Sequence, residues 1–221
     1  EQIRNSIGYP HLNVKVCATH AGITVGEDGA SHQCLEDLAL MRTIPGMTVI
    51  NPSDGASAKK LIKQAVEMNG PCYIRLGRAE VPMLYGEGTD VTIGKGNMLK
   101  DGKDVTIIAT GIMVAEAMDA AEALKTQGID ARVIDMHTIK PLDEEIILKA
   151  AKETGKIVTA EEHSVIGGLG SAVAEVLVKK YPVKVAMVGQ NDTFGESGKP
   201  DQLKEKYGMT AADIVKAVKE L

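Results

Sequence analysis

Aromatic residues are scarce in this chain: 3% of 221 residues, with no tryptophan and one phenylalanine. Its core must therefore be built from Val, Ile, Leu, Met and Ala. Cysteine is scarce too. Cys17, Cys34 and Cys72 lack the paired spacing of a zinc motif or disulfide framework. They fit a reducing, cytoplasmic setting and are expected as small buried hydrophobes. Positive charge is in the minority, with 25 Lys and Arg against 30 Asp and Glu, and the net charge of -5 without a basic run argues against a nucleic-acid surface. No apolar stretch approaches the roughly 18 residues of a membrane span, and no signal peptide opens the chain. The opening EQIRNSIGYP also lacks an initiating Met and a capping residue, although Ile3 and Ile7 have helical spacing. That start suggests a natural chain that begins further upstream.

What is present is an ordinary globular composition, 44% hydrophobic and 25% charged, long enough for one large or two modest domains. Strand and helix signals alternate. Val14 to Thr19, Met47 to Ile50 and Cys72 to Leu76 read as strands, with helices at Leu35 to Arg42 and Ala56 to Met68. Periodicity lapses in VPMLYGEGTDVT, residues 81–92, which reads as a linker. It then restarts with strands at 105–110, 131–136, 156–160 and 183–188. Between and after them come helices at 114–127, 143–154 and 169–179, and a last one headed by the capping-box pattern Thr210 to Asp213. The expectation is an α/β protein of two domains, residues 1–80 and 93–221, each a mostly parallel sheet with helices on both faces.

The densest chemistry lies in THAGITVGEDGASHQ, Thr19 to Gln33. Two histidines, Glu27, Asp28 and Ser31 share a glycine-rich loop that leaves a strand and feeds a helix, where ligands of α/β sheets tend to bind. His20 and His32 could bind an anion, transfer protons or ligate a metal. Their spacing matches no common zinc pattern, which disfavours the metal. Asp28 could accept hydrogen bonds from a hydroxylated ligand. The competing reading makes Asp28-Gly29 a plain turn, Ser31 a helix cap and the histidines solvated. Arg78, at the carboxyl end of another strand, is expected at the same sheet edge and offers a fork of donors to phosphate or carboxylate, or else a salt bridge. GGLGS, Gly167 to Ser171, could cradle phosphate ahead of a helix, but the dinucleotide fingerprint is missing and a tight packing turn suits it better. His137 and His163, near strand ends, are expected to be structural.

The run THAGITVGEDGASHQCLEDLALMRTIPGMTVINPSD resembles the second half of the transketolase pyrimidine-binding domain, and IRLGRAEVP resembles its arginine-bearing segment. VIDMHTIKPLDEEII, EEHSVIGGLGSAVAE and SGKPDQLKEKYG resemble the C-terminal domain of that family. Deoxyxylulose-phosphate synthase shares the architecture, but Thr19 to Gly22 together with Gly26 to Gly29 favours transketolase. The resemblance implies a thiamine diphosphate-dependent transfer of a two-carbon ketol unit from a ketose phosphate to an aldose phosphate. It places His20 and Arg78 at the substrate phosphate or a neighbouring hydroxyl, and Asp28 at the hydroxyl next to the aldehyde. His32 falls near the donor's hydroxyls and developing oxyanion, the catalytic position on this chain. The family's cofactor-activating glutamate falls upstream of Glu1, and its diphosphate and divalent metal (Mg or Ca) are held by a domain whose GDG-type motif is missing here. No cofactor-binding residue is therefore assigned. The resemblance implies a homodimer and a complementary diphosphate-binding domain or subunit, with these 221 residues inactive alone. Two other classes remain open: a non-catalytic assembly or anion-binding module, and a dinucleotide-binding protein.

Overall fold

The computed structural model describes residues 1–86 and 88–221; Glu87, in the expected linker, lies outside the described residues. The chain opens with a helical turn over Arg4–Gly8. β1 (Lys15–Ala18), α1 (Asp37–Arg42), β2 (Thr48–Ile50), α2 (Gly55–Glu67) and β3 (Cys72–Arg75) follow, with the three strands parallel in the order β1-β3-β2. α2 starts at a reciprocal cap in which Asp54 accepts the Ser57 N–H at 2.7 Å and Ser57 Oγ accepts that of Asp54.

The later elements are β4 (Asn97–Lys100), β5 (Val105–Ala109), α3 (Met113–Lys125), β6 (Ala131–Asp135), β7 (Thr138–Lys140), α4 (Glu144–Thr154), β8 (Lys156–Ser164), α5 (Leu169–Lys180), β9 (Lys184–Gln190), α6 (Pro200–Lys206) and α7 (Ala211–Glu220). The second sheet runs β4-β6-β5-β8-β9 and is parallel except for β4. Asp143 caps α4, Gly155 ends it in the left-handed region at φ 68°, and Thr210 with Asp213 forms the box that starts α7.

The architecture is α/β with mostly parallel sheets flanked by helices. One strand crosses between them: β7 leaves the second sheet's run of sequence and pairs antiparallel with β2, Val49 opposite Lys140. Three residues in β7 and four in β4 are too few to show a clear period of two, so neither strand was legible. The two halves also share one core, in which Leu38, Val49 and Tyr73 pack with Ile108, Met136 and Leu169.

The 81–92 stretch carries no helix or strand among its described residues, yet it is packed down. Tyr85 and Val91 are buried. The N–H groups of Leu84 and Tyr85 donate to Asp54 Oδ2, and Gln64 bonds both Val91 O and Ile93 N. The cysteine expectation needs correcting, because only Cys72 is buried. Val16 and Ala18 turn toward the shared core, so the alternation of β1 sends Cys17 to the opposite, exposed face; Cys34 is exposed on the loop. No described helix is long and apolar enough to cross a membrane.

Candidate functional site

β1 and β3 are neighbours with Ala18 opposite Arg75, so the segments carrying His20 and Arg78 leave the same sheet edge. Ala21 N donates to Leu76 O across the gap. The glycine-rich segment then folds as 3₁₀ turns over Ile23–Asp28, broken at Gly26, whose φ of 85° and ψ of -122° only glycine adopts freely. The turns bring Val25 and Asp28 onto Arg78: its Nη1 donates to Val25 O at 2.6 Å and to Asp28 Oδ2 at 2.9 Å.

His20, Asp28, His32 and Arg78 are all exposed. Of the four, Asp28 and Arg78 touch each other. Among the described residues His20 and His32 bond only their chain neighbours, Nδ1 of His20 lying 3.0 Å from Thr19 Oγ1 and Nδ1 of His32 3.1 Å from Ser31 Oγ. Ser31 does not cap α1, whose N-cap position is Glu36. Arg78 has the salt bridge that the alternative reading offered, although both partners remain about half exposed, at 44% and 51%.

The loop is held from behind by the second half of the chain. Ile23 is buried in one cluster with Met113, Val188 and Leu203. Gln33 Nε2 donates to Ile23 O and to Glu196 O, tying the loop to the segment after β9. Glu162, at the end of β8, accepts the Thr24 N–H at 2.7 Å. A cavity of about 200 Å³ opens beside the loop, lined by Ala30, Gln33, Glu36 and Phe194 among others.

Beneath the loop lies a buried charged group. Arg75 Nε donates to Asp37 Oδ2 at 2.9 Å, and its Nη2 to the backbone oxygens of Cys34 and Glu162. Tyr73 OH donates to the same Asp37 oxygen at 2.6 Å. Burial pushes the Asp37 carboxyl up, but Arg75 and Tyr73 together outweigh it and hold the group below its ordinary value. His163 is buried, and burial followed by the Arg75 charge lowers its pKa. His137 is buried between Thr138 and Asn97, its pKa lowered by burial to about 4.

Sequence reasoning missed Asp37, Arg75, Glu161 and Glu162. A signal existed: Glu161-Glu162-His163 continue an apolar strand, where ionisable groups need buried partners. Glu161 also settles the GGLGS question. Its carboxyl group, whose pKa burial raises to about 7, accepts the N–H groups of Leu169 (2.7 Å) and Gly170 (2.8 Å), so the start of α5 is already filled by this chain's own side chain. The turn is a packing turn, with Gly168 so close to Glu161 that a Cβ there would lie 1.9 Å from Oε2.

The residues present do not form a site for a diphosphate and its divalent ion. Among the described residues no three or more His, Cys, Asp or Glu side chains converge as a ligand set, and the glycine-rich helix start is taken by Glu161. What the exposed edge offers is a cation, a carboxylate and two imidazoles, a set that suits a hydroxylated anion.

Residues 1–83 match the model of the transketolase pyrimidine-binding domain, and residues 94–214 that of the transketolase C-terminal domain. A Methanocaldococcus jannaschii protein described as a putative transketolase C-terminal section is 52% identical over all of this chain and 70% of its own length. A Clostridium protein described as a 6-deoxy-6-sulfo-D-fructose transketolase subunit is 49% identical, with 100% of this chain and 69% of that protein covered. The solved structure of a split-gene transketolase, an inactive beta4 tetramer, matches with a TM-score of 0.94 and 56% identity over 99% of this chain and 70% of that one.

Proposed function

The chain belongs to the transketolase family, and from that premise we propose that it is the substrate-side part of a thiamine diphosphate-dependent transketolase. The reaction is transfer of a two-carbon ketol unit from a ketose phosphate to an aldose phosphate. The observation that carries this reading is the exposed Arg78–Asp28 pair on the glycine-rich loop, at the sheet edge from which His20 also emerges. Arg78 and His20 hold the terminal oxyanion of the sugar. Asp28 accepts the hydroxyl next to the aldehyde, and His32 hydrogen-bonds the donor's hydroxyls and the oxyanion that develops there. The Clostridium relative is named for a sulfonated sugar, and a sulfonate presents the same tetrahedral array of oxygens to an Arg fork as a phosphate does.

Family members depend on thiamine diphosphate and a divalent metal, which supply the carbanion chemistry when bound. Since the residues here do not fit that group, we assign it to a complementary diphosphate-binding domain or subunit. The same reading takes 1–80 as the second half of a pyrimidine-binding domain, 81–92 as its connection and 93–221 as the C-terminal domain, and places a homodimer in the cytoplasm.

The test measures ketol transfer from xylulose 5-phosphate to ribose 5-phosphate by these 221 residues, alone and with a diphosphate-binding partner subunit. Alone they are expected to be silent and to bind thiamine diphosphate no tighter than about millimolar, roughly 4 kcal/mol. The partner is expected to restore turnover. Turnover by the isolated chain would overturn the division of labour, and no turnover in the combined system would overturn the substrate-side reading.

A further inference from the structure

Glu162 belongs to the second sheet, yet its carboxylate lies directly under the glycine-rich loop of the first. It is 2% exposed, and Oε1 accepts the Thr24 N–H at 2.7 Å. Thr24 is in the first of the 3₁₀ turns that begin at Ile23, where unpaired N–H groups point outward, so a buried carboxylate there acts as their cap. The fit is tight. A Cβ on Gly22 would lie 2.2 Å from the Glu162 carboxyl carbon, and Gly22 holds φ at 85°. Glu162 is itself fixed, because Arg75 Nη2 donates to its backbone oxygen at 2.9 Å and Arg75 is locked onto Asp37.

The turns capped in this way end in the groups of the candidate site. One residue beyond Thr24, Val25 O accepts Arg78 Nη1, and at the end of the turns Asp28 Oδ2 accepts the same nitrogen. The hydrogen-bonded path therefore runs from the second sheet through Glu162 and the Thr24 turn to the Arg78–Asp28 pair. Arg78 is on a different strand exit, so the registration of the pair depends on where the turn is pinned. Thr24 N–H, with the neighbouring Ile23 N–H, is where the Glu162 carboxyl from the second sheet holds the backbone of these turns.

We propose that Glu162 is a positioning residue for acceptor recognition: by capping the Thr24 turn from the second domain, it sets Asp28 against Arg78 and so fixes the hand of the hydroxyl that Asp28 reads. This rests on the functional reading above. It gives the second half of the chain a part in specificity without contact to substrate.

The experiment uses the full chain combined with its diphosphate-binding partner, comparing wild type with Glu162→Gln and Glu162→Ala. Gln keeps an acceptor oxygen for Thr24 N–H, and Ala removes it. The first readout is the ratio of kcat/KM for an aldose carrying the 2-hydroxyl to that for an aldehyde lacking it. The second is amide hydrogen exchange over residues 22–29. For Glu162→Ala we expect the ratio to fall about tenfold, through KM for the hydroxylated acceptor, and exchange to rise about tenfold across the turn. Glu162→Gln is expected to stay within about twofold on both. Should the Ala variant fail to fold, Glu162→Asp retracts the carboxylate while keeping its charge and is expected to show the same two changes. Unchanged exchange overturns the cap, and faster exchange with an unchanged ratio reduces Glu162 to a structural residue; either result overturns the proposal. A wild-type combination that transfers no ketol unit overturns the functional reading and this assignment with it, whereas an active wild type with an indifferent Glu162 overturns this assignment alone.

Discussion

Arg78 Nη1 lies 2.9 Å from Asp28 Oδ2, joining the two strand exits that carry the candidate site. Both partners are about half exposed, so the pair contributes little to stability, on the order of 0–1 kcal/mol. Its consequence is chemical. In the function proposed above, the bond holds each group in place in the free chain, the guanidinium offered to the oxyanion of the sugar and the carboxylate to its hydroxyl.

Arg78→Ala should therefore raise KM for phosphorylated substrates by about tenfold or more, since a charge-assisted contact is lost. Activity on glycolaldehyde or hydroxypyruvate, which carry no phosphate, should barely change. Steady-state kinetics on both kinds of substrate decides it. Comparable losses on both would make Arg78 a structural anchor for Val25 O instead.

Asp28→Ala should cut kcat/KM about 10- to 150-fold for 2-hydroxyaldehydes of the correct hand, from the roughly 1.5–3 kcal/mol of a hydrogen bond to a charged group. Aldehydes without that hydroxyl should lose far less. Because Asp28 Oδ2 accepts a hydrogen bond from Arg78 Nη1, the double variant should fall short of the sum of the two single losses. Equal losses on both acceptor types would remove Asp28 from the recognition role.

The buried group beneath the loop governs stability rather than recognition. Asp37→Ala leaves Arg75 buried without its carboxylate and should cost about 3–5 kcal/mol, measured by urea unfolding. The sign of its pH dependence follows from the lowered Asp37 pKa. In the unfolded chain the group titrates near about 3.9. The stability that Asp37 contributes is therefore present above that value and is lost as pH falls through the lower, folded one. Wild type should lose this contribution only well into acid, and the variant should show no such loss.

How much of this was legible in the sequence differs element by element. The alternation of strands and helices was readable because α2, α3 and α4 are long enough to show their period, and Asp143 and Thr210 mark the starts of α4 and α7. β7 was not, because it has three residues and belongs by sequence to one sheet and by pairing to the other. On the loop, glycine spacing showed where a ligand could approach, and parallel topology predicted that the His20 and Arg78 segments share an edge. What stayed hidden was the support beneath. Glu162 meets Thr24 across 138 residues of sequence, and Asp37 meets Arg75 across 38; nothing local records either contact. The exposed Cys17 was misread for the same reason, since residue type alone does not say which face of an edge strand is covered.

Asp135 offers the opposite pH dependence. It is fully buried at the end of β6, and Oδ2 accepts Ser53 Oγ at 2.7 Å and Tyr85 OH at 2.8 Å. Burial pushes its pKa up to about 7, the nearby Asp54 charge adds to the rise, and the two hydroxyl bonds oppose it without prevailing. For a carboxyl raised in the folded state, the favourable contribution is complete below the unfolded value near about 3.9 and is lost as pH rises through about 7. Asp135→Asn keeps an oxygen acceptor for Ser53 and Tyr85 but cannot ionise. Its stability relative to wild type should therefore improve between pH 5 and pH 8, by at most about 3 kcal/mol at about 1.36 kcal/mol per unit. Urea unfolding of both proteins at the two pH values measures this directly. A constant difference between them would mean that Asp135 keeps one protonation state across the range. In that case the strap of residues around Tyr85, packed from the first sheet onto the second, would not weaken as the pH rises.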